Sequence, residues 1–353
     1  MPDASPRLID RLEVLAARLL SRLPGHWQVR LSMRPPVVAD GLTLDPHAQL
    51  IRAVRRRHNP YGLCEPDVER GRARYRRECT LFRGTPTLVG AVRDLAIPGA
   101  DGSLRLRHYA PAAEGAQPLT VYLHGGGFTI GDLDTHDEPC RILCRYGNLH
   151  VLSVEYRLAP EHPFPAGLDD ARAALRWAQA HAAELDADPA RVAIGGDSAG
   201  GNLAAVVALD TRDDAPPAAQ LLIYPAIDSE TERPSQALFG EGYFLSRGDR
   251  DAFSRNYLQG TGADGRDPRV SPIYAPDLSG LAPALVVTAG FDLLRDEGEA
   301  YAEALQSAGT PTRLTRIAGH GHGFLHMTGV APTAREAMIQ ISRDWRALLE
   351  GIA

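Results

Sequence analysis

The apolar positions of this chain change period near residue 92. Upstream, Leu8, Leu12, Leu15 and Leu19 recur at helical spacing behind Ser5 and Pro6, which suit an N-cap and a first helical position. The pattern predicts an amphipathic helix over 5–22 and two more over Asp45–Arg57 and Pro66–Thr80, separated by Pro and Gly breaks. Together they read as a helical cap spanning residues 1–90. Downstream, β-rich runs at Leu104–Tyr109, Leu119–Leu123, Val151–Tyr156, Val192–Gly195, Leu221–Tyr224 and Leu285–Ala289 alternate with helical stretches. Such alternation predicts an α/β domain over 91–353, with a mostly parallel central sheet and helices on both faces. The alternation lapses between Asp228 and Arg269, so 228–270 is expected to be an insertion that adds to the cap. A final helix is expected over Thr333–Leu349.

Composition changes this picture little. Hydrophobic residues at 44% and charged residues at 23% are those of an ordinary globular protein with a sizeable core. The formal charge of −6 hides an asymmetry: residues 1–95 carry 17 Arg against 10 acidic residues, and the rest is acidic. These arginines fall at scattered helical positions without interleaved aromatic stacking residues, which predicts a solvated helix face and no nucleic-acid partner. Cys64, Cys79, Cys140 and Cys144 have no paired metal-ligand or disulfide-scaffold spacing and are expected to be reduced thiols, with Cys140 and Cys144 in packing roles. The N-terminal stretch is interrupted by Asp10, Arg11, Glu13 and Arg18, unlike a signal peptide, and no run is long enough to insert in a membrane. A cytoplasmic location is the expectation.

The candidate chemistry begins at Gly196-Asp197-Ser198-Ala199-Gly200, which follows an apolar strand and precedes an Ala-rich helical segment. It fits G-x-S-x-G in a strand–turn–helix context. The turn must be so sharp that side chains two residues either side of the serine would collide, hence the glycines. Some 70 residues upstream, His124-Gly125-Gly126-Gly127-Phe128 follows the strand Leu119–Leu123. Its glycines free backbone N–H groups to face a developing oxyanion, with Gly126 and Gly127 as donors and Ala199 as a third. His124 is expected to shape that loop. The HGGGF run is itself neither G-x-G-x-x-G nor G-K-[ST], which disfavours a phosphate cradle there. In chain order the acid and then the histidine should follow the serine. Asp292 lies just past the strand Leu285–Ala289, where α/β sites assemble, and Asp296 is its competitor, although Asp296 and Glu297 suit the first turn of a helix. His320 and His322, both in a Gly-rich loop, are candidates that spacing does not separate.

With these motifs the chain resembles the hormone-sensitive-lipase group of bacterial esterases, within it the acetyl esterases, from about residue 90 onward. The resemblance rests on HGGGF with the following GDLDTHD, on YRLAPEHPFPAGLDD over 156–170, on GDSAGGN, on DLLRDEG and on HGF. It implies an α/β-hydrolase fold, His322 as base, Asp292 as its partner, N-terminal helices as a lid, and a homodimer built on the final strand and helix. It also favours short acyl esters as substrates. Tyr243, Phe244 and Leu245 are candidates for the wall of the acyl pocket, with cap core as the alternative. Arg157 and Glu161 are read as ion pairs supporting the site. Acyl transfer by such a triad needs no metal or cofactor. Amide or lactone hydrolysis would use the same residues, and a non-catalytic binding protein remains the reading from another class.

Overall fold

The apolar runs downstream of residue 92 become the core of one eight-stranded sheet. The computed structural model describes residues 19–58 and 62–352. In chain order the large sheet contains β3 (Ala91–Gly99), β4 (Gly102–Ala110), β5 (Gln117–Leu123), β6 (His150–Val154), β7 (Ala187–Asp197), β8 (Gln220–Ile223), β9 (Ala284–Phe291) and β10 (Thr312–Gly321), after a small β1–β2 pair at Val38–Ala39 and Leu42–Thr43. The order across the sheet is β10-β9-β8-β7-β5-β6-β4-β3, parallel throughout except for the antiparallel β3–β4 and β4–β6 pairings. Helices α4 (Asp137–Gly147) and α10 (Pro332–Glu350) cover one face. Helices α5 (Ala166–His181), α6 (Ala199–Asp210) and α9 (Arg295–Ser307) cover the other. Covering both faces explains why the central strands read as unbroken apolar runs. Every residue of β6, β8 and β9 is buried.

Two strands escape the sequence pattern for a shared physical reason. β3 and β10 are the sheet edges, largely exposed, and β10 carries Arg313 and Arg316 outward. An edge strand needs only one apolar side, so its signal is weak.

The helices expected over 45–57 and 66–80 are α2 (Pro46–His58) and α3 (Val68–Phe82), the latter capped by Asp67, whose carboxylate accepts from Arg70 N at 3.1 Å. The helix expected over 5–22 falls mainly outside the described residues; a short α1 spans Gly25–Leu31. The interval 228–270 contains no strand and holds α7 (Pro234–Phe239) and α8 (Arg247–Leu258). Asp249 ties these segments together. Its carboxylate completes the capping box of α8 with Ser246 and also accepts from the N–H groups of Leu63 (2.6 Å) and Cys64 (2.9 Å).

The solvated arginine face expected for the N-terminal helices is corrected in part. Arg55 pairs with Glu78 at 2.7 Å and donates to Phe244 O, Arg52 donates to Gly242 O, and Arg72 donates to Thr129 O, Ala159 O and both oxygens of Glu161. The carbonyls of the 242–244 segment and the 129–161 loops need donors, and α2 and α3 supply them. Among the described residues no helix is long and apolar enough to cross a membrane.

Candidate active site

The carboxyl ends of β5, β7 and β9 and the end of β10 deliver four pieces of chain to one place. Between β7 and α6 the chain turns at Ser198 with φ 55° and ψ −118°, a left-handed conformation that only a tightly held non-glycine residue adopts. Gly196 and Gly200 make the turn feasible: a Cβ on either would overlap the Leu123 carbonyl. Ser198 stands at the start of α6, and its own N–H donates to Ile223 O at 2.9 Å.

Ser198 Oγ lies 3.0 Å from His322 Nε2, and His322 Nδ1 lies 2.7 Å from Asp292 Oδ2. The carboxylate fixes the tautomer, with the proton on Nδ1 and the Nε2 lone pair toward the serine. Asp292 is buried, and its second oxygen accepts from Leu294 N at 2.9 Å. Asp296 faces elsewhere, accepting from Ser235 N and Arg295. His320 also turns away: its Nε2 meets Thr333 Oγ1 at 3.0 Å, and Thr333 in turn donates to Asp45. The register of β10 against β9 breaks between Ile317 and Gly321, and His322 lies just beyond the end of the strand.

Gly126 and Gly127 have φ of 125° and 58°, and the ring of Phe253 fills the space where a Gly127 side chain would be. Both line the same cavity as Ser198 and Ala199. Their backbone N–H groups and that of Ala199 meet no backbone acceptor among the described residues. His124 is buried and shapes this loop: its Nδ1 lies 2.9 Å from Gly125 O, and its ring stacks on Tyr156, whose hydroxyl donates to His124 O. Burial, then the nearby His136, pushes its pKa down to about 4, so the ring is neutral at physiological pH.

Behind the serine, Asp197 Oδ1 accepts from Gly125 N and Tyr122 Oη, each at 2.9 Å, with His136 Nε2 at 3.2 Å. Burial opposes ionisation of Asp197, but His136, His326 and Tyr122 outweigh it and hold the carboxyl below its usual range. His136, Asp197 and His326 lie close enough together to share a metal ion. Their donor and acceptor atoms are engaged otherwise: His136 Nδ1 meets Thr135 Oγ1, and His326 Nε2 meets Tyr75 Oη of α3 at 2.9 Å. The group is a hydrogen-bond network that joins the serine turn to α3. Sequence reasoning did not assign roles to His136, His326 or Tyr75; the GDLDTHD run was the available signal for His136.

A cavity of about 200 Å³ opens at Ser198 and runs beneath α3 and α8. Phe244 and Leu245 line it, whereas Tyr243 does not. Tyr243 packs against Phe239 and Phe291 under the Arg52 guanidinium, in a small apolar cluster beside the end of β9. Arg157 and Glu161 form ion pairs, Arg157 with Asp170 and Asp101, Glu161 with Arg72.

Glu297, one turn into the DLLRDEG run, also lines the cavity and is 1% exposed. Burial raises its pKa from 4.5 to about 7, against the opposing pull of Arg250 and of the Ile227 and Asp228 N–H groups. A carboxyl raised in the folded state contributes its full stability below the unfolded pKa and loses it as pH rises through the folded value. Glu297→Gln keeps an oxygen for the Ile227 N–H without titrating. The melting temperature of the variant relative to the native chain is therefore expected to climb between pH 4.5 and 7 and then level, the change approaching about 3 kcal/mol. A difference independent of pH would show that Glu297 is ionised throughout this range.

A serine on a strand–helix elbow, a histidine–aspartate pair in contact with it and a glycine loop at the ends of parallel strands define a protein of the α/β-hydrolase type. Residues 120–326 match the family model described as the alpha/beta hydrolase fold. The chain is 47% identical over 321 residues to the carboxylic ester hydrolase LipN of Mycobacterium tuberculosis, covering 89% of this chain and 85% of that one. It is 34% identical to the ethyl acetate hydrolase of Pseudomonas putida, over 88% of this chain and 98% of that one. Among solved structures, an ester hydrolase from the metagenome of Lake Arreo, complexed with a bipyridine phosphonate derivative, superposes with a TM-score of 0.82 at 40% identity, covering 86% of this chain and 98% of that one. The chain belongs to the α/β-hydrolase fold family, in its hormone-sensitive-lipase group.

Proposed function

We propose that the chain is a carboxylic ester hydrolase that cleaves small esters of short acyl chain, acetyl to butyryl, through a covalent acyl-serine. The continuous contact from Asp292 through His322 to Ser198 carries this reading, at 2.7 and 3.0 Å. His322 takes the hydroxyl proton as Ser198 Oγ attacks the ester carbonyl, while Asp292 stabilises the imidazolium. The N–H groups of Gly126, Gly127 and Ala199 receive the oxyanion, each donor being worth on the order of a hundredfold in rate. His322 then protonates the leaving alcohol. A water molecule, deprotonated by the same imidazole, cleaves the acyl-serine and releases the acid.

The small cavity supports the short-chain preference. Phe128 and Tyr257 stack across its wall with ring centroids 3.8 Å apart, and Leu258 stands beside them. The helices α2, α3, α7 and α8 act as the lid, and the exposed edge of β10 with α10 is the surface on which a homodimer would form. The reading is tested with p-nitrophenyl esters from acetyl to dodecanoyl. Expected is a maximum of kcat/KM between acetyl and butyryl and a steep decline beyond octanoyl. A maximum at dodecanoyl would overturn the short-chain assignment, and preferential cleavage of matched anilides or lactones would replace the ester with an amide or lactone substrate.

A further inference from the structure

Packing around α1 runs opposite to the usual order. In residues 19–34 the buried side chains are polar: Gln28 and Ser32 are 1% and 2% exposed. Gln28 donates to Leu20 O and Leu23 O, and Ser32 Oγ donates to Val29 O at 2.6 Å and accepts from Gln49 of α2 at 2.8 Å. These bonds accompany the packing of α1 on α2 and leave the apolar side chains outward. Leu19, Leu23, Trp27 and Leu31, at every fourth position, are 54%, 36%, 45% and 42% exposed, and Leu20 and Met33 are exposed with them. Single exposed apolar side chains are ordinary, but six large ones gathered on one short segment mark a contact surface.

The same segment carries one sign of charge. Arg22, Arg30 and Arg34 are exposed, and residues 19–39 contain no Asp or Glu. The Arg30 guanidinium stands 5.4 Å from the centroid of the Trp27 ring, so charge and apolar surface are interleaved. A second copy of this chain suits the face badly, because a two-fold contact would set these arginines against their own copies. The whole chain has a formal charge of −6, so the basic face stands out against an acidic remainder. A partner that draws in this face is anionic and also accommodates Trp and Leu side chains, which is the chemistry of an acidic phospholipid surface.

We propose that α1 and the turn before it dock the protein on an anionic phospholipid bilayer. Leu23, Trp27 and Leu31 enter the boundary between headgroups and acyl chains, while Arg22, Arg30 and Arg34 meet lipid phosphates. The contact is peripheral: α1 is 7 residues long and lies on the bilayer without crossing it. Because α1 packs on α2, whose Arg55 lines the cavity, docking holds the cap at the lipid surface. None of the docking side chains lines the cavity, so the inference stands apart from the ester-hydrolase reading.

The test sediments the full chain with vesicles of phosphatidylcholine alone and of phosphatidylcholine mixed with phosphatidylglycerol. Expected is a partition coefficient at least about tenfold higher for the anionic vesicles, falling as salt is added. A variant carrying Arg22→Glu, Arg30→Glu and Arg34→Glu should lose at least about a hundredfold on them, each basic side chain being worth about fivefold. Trp27→Ser with Leu31→Ser should also release the protein. Trp27→Phe should keep binding but abolish the blue shift of tryptophan emission that vesicles induce in the native chain, since Trp345 is fully buried. All these side chains are exposed, so every variant should melt at the native temperature. Equal binding to both kinds of vesicle, or binding that the charge reversals leave intact, overturns the proposal. Absence of binding overturns it as well, and a dimer seen by analytical ultracentrifugation that Trp27→Ser with Leu31→Ser dissolves would then give the face to a second copy.

Discussion

Ser198→Ala is expected to lower kcat for p-nitrophenyl acetate by roughly 10⁴- to 10⁶-fold, and His322→Ala by a similar factor. The reason is geometric: among the described residues, the base that meets the serine hydroxyl is His322 Nε2, at 3.0 Å. Because attack and proton removal are one event, the double variant should be little worse than either single one. Single-turnover kinetics with stopped-flow detection of p-nitrophenolate would measure this, alongside thermal melts that show each variant folded. Losses that multiply in the double variant would mean that the two residues act independently, which the proposed mechanism does not allow.

Asp292→Asn is expected to be nearly as damaging at neutral pH, with a fall in kcat on the order of 10⁴-fold. The substitution is almost isosteric, and an asparagine oxygen can still accept from Leu294 N, so the fold should survive. The amide nitrogen, however, would face His322 Nδ1 as a donor. It would stabilise the tautomer with the proton on Nε2, which cannot receive one from Ser198. Retained melting temperature with lost turnover is the expected pair of results. A fall of less than tenfold would place the orienting role elsewhere, with Asp296 the obvious place to look.

The serine elbow was legible because its physics leaves few alternatives: glycines at 196 and 200 are demanded by the Leu123 carbonyl, and the sequence displays them in a fixed pattern. The glycine loop at 125–127 was legible for a similar reason. The choice between His320 and His322 was not, since both lie two residues apart in the same glycine-rich stretch. Spacing does not separate them, and only the HGF motif of the resemblance pointed to His322; the structure gives His320 to Thr333 and His322 to Asp292. The edge strands β3 and β10 were missed because half-exposed strands mix polar with apolar positions. Tyr243, Phe244 and Leu245 looked equivalent as three consecutive apolar side chains. Only their surroundings separate them, Arg52 and Phe239 claiming the first and the cavity the other two. The arginines of α2 and α3 read as a surface because their acceptors are main-chain carbonyls from distant segments, which no charge count reveals.

The carboxylate of Asp249 has a consequence for engineering this enzyme. It starts α8 and at the same time holds Leu63 and Cys64, residues some 185 positions earlier in the chain. Together with the bonds from Arg52 to Gly242 O and from Arg55 to Phe244 O, it makes one clasp of two pieces of sequence that look like separate modules. Chimeras that exchange only the N-terminal segment, or only the 228–270 segment, would inherit half of the clasp. Substrate range in relatives of this architecture should thus be transplanted by moving both segments as a matched pair.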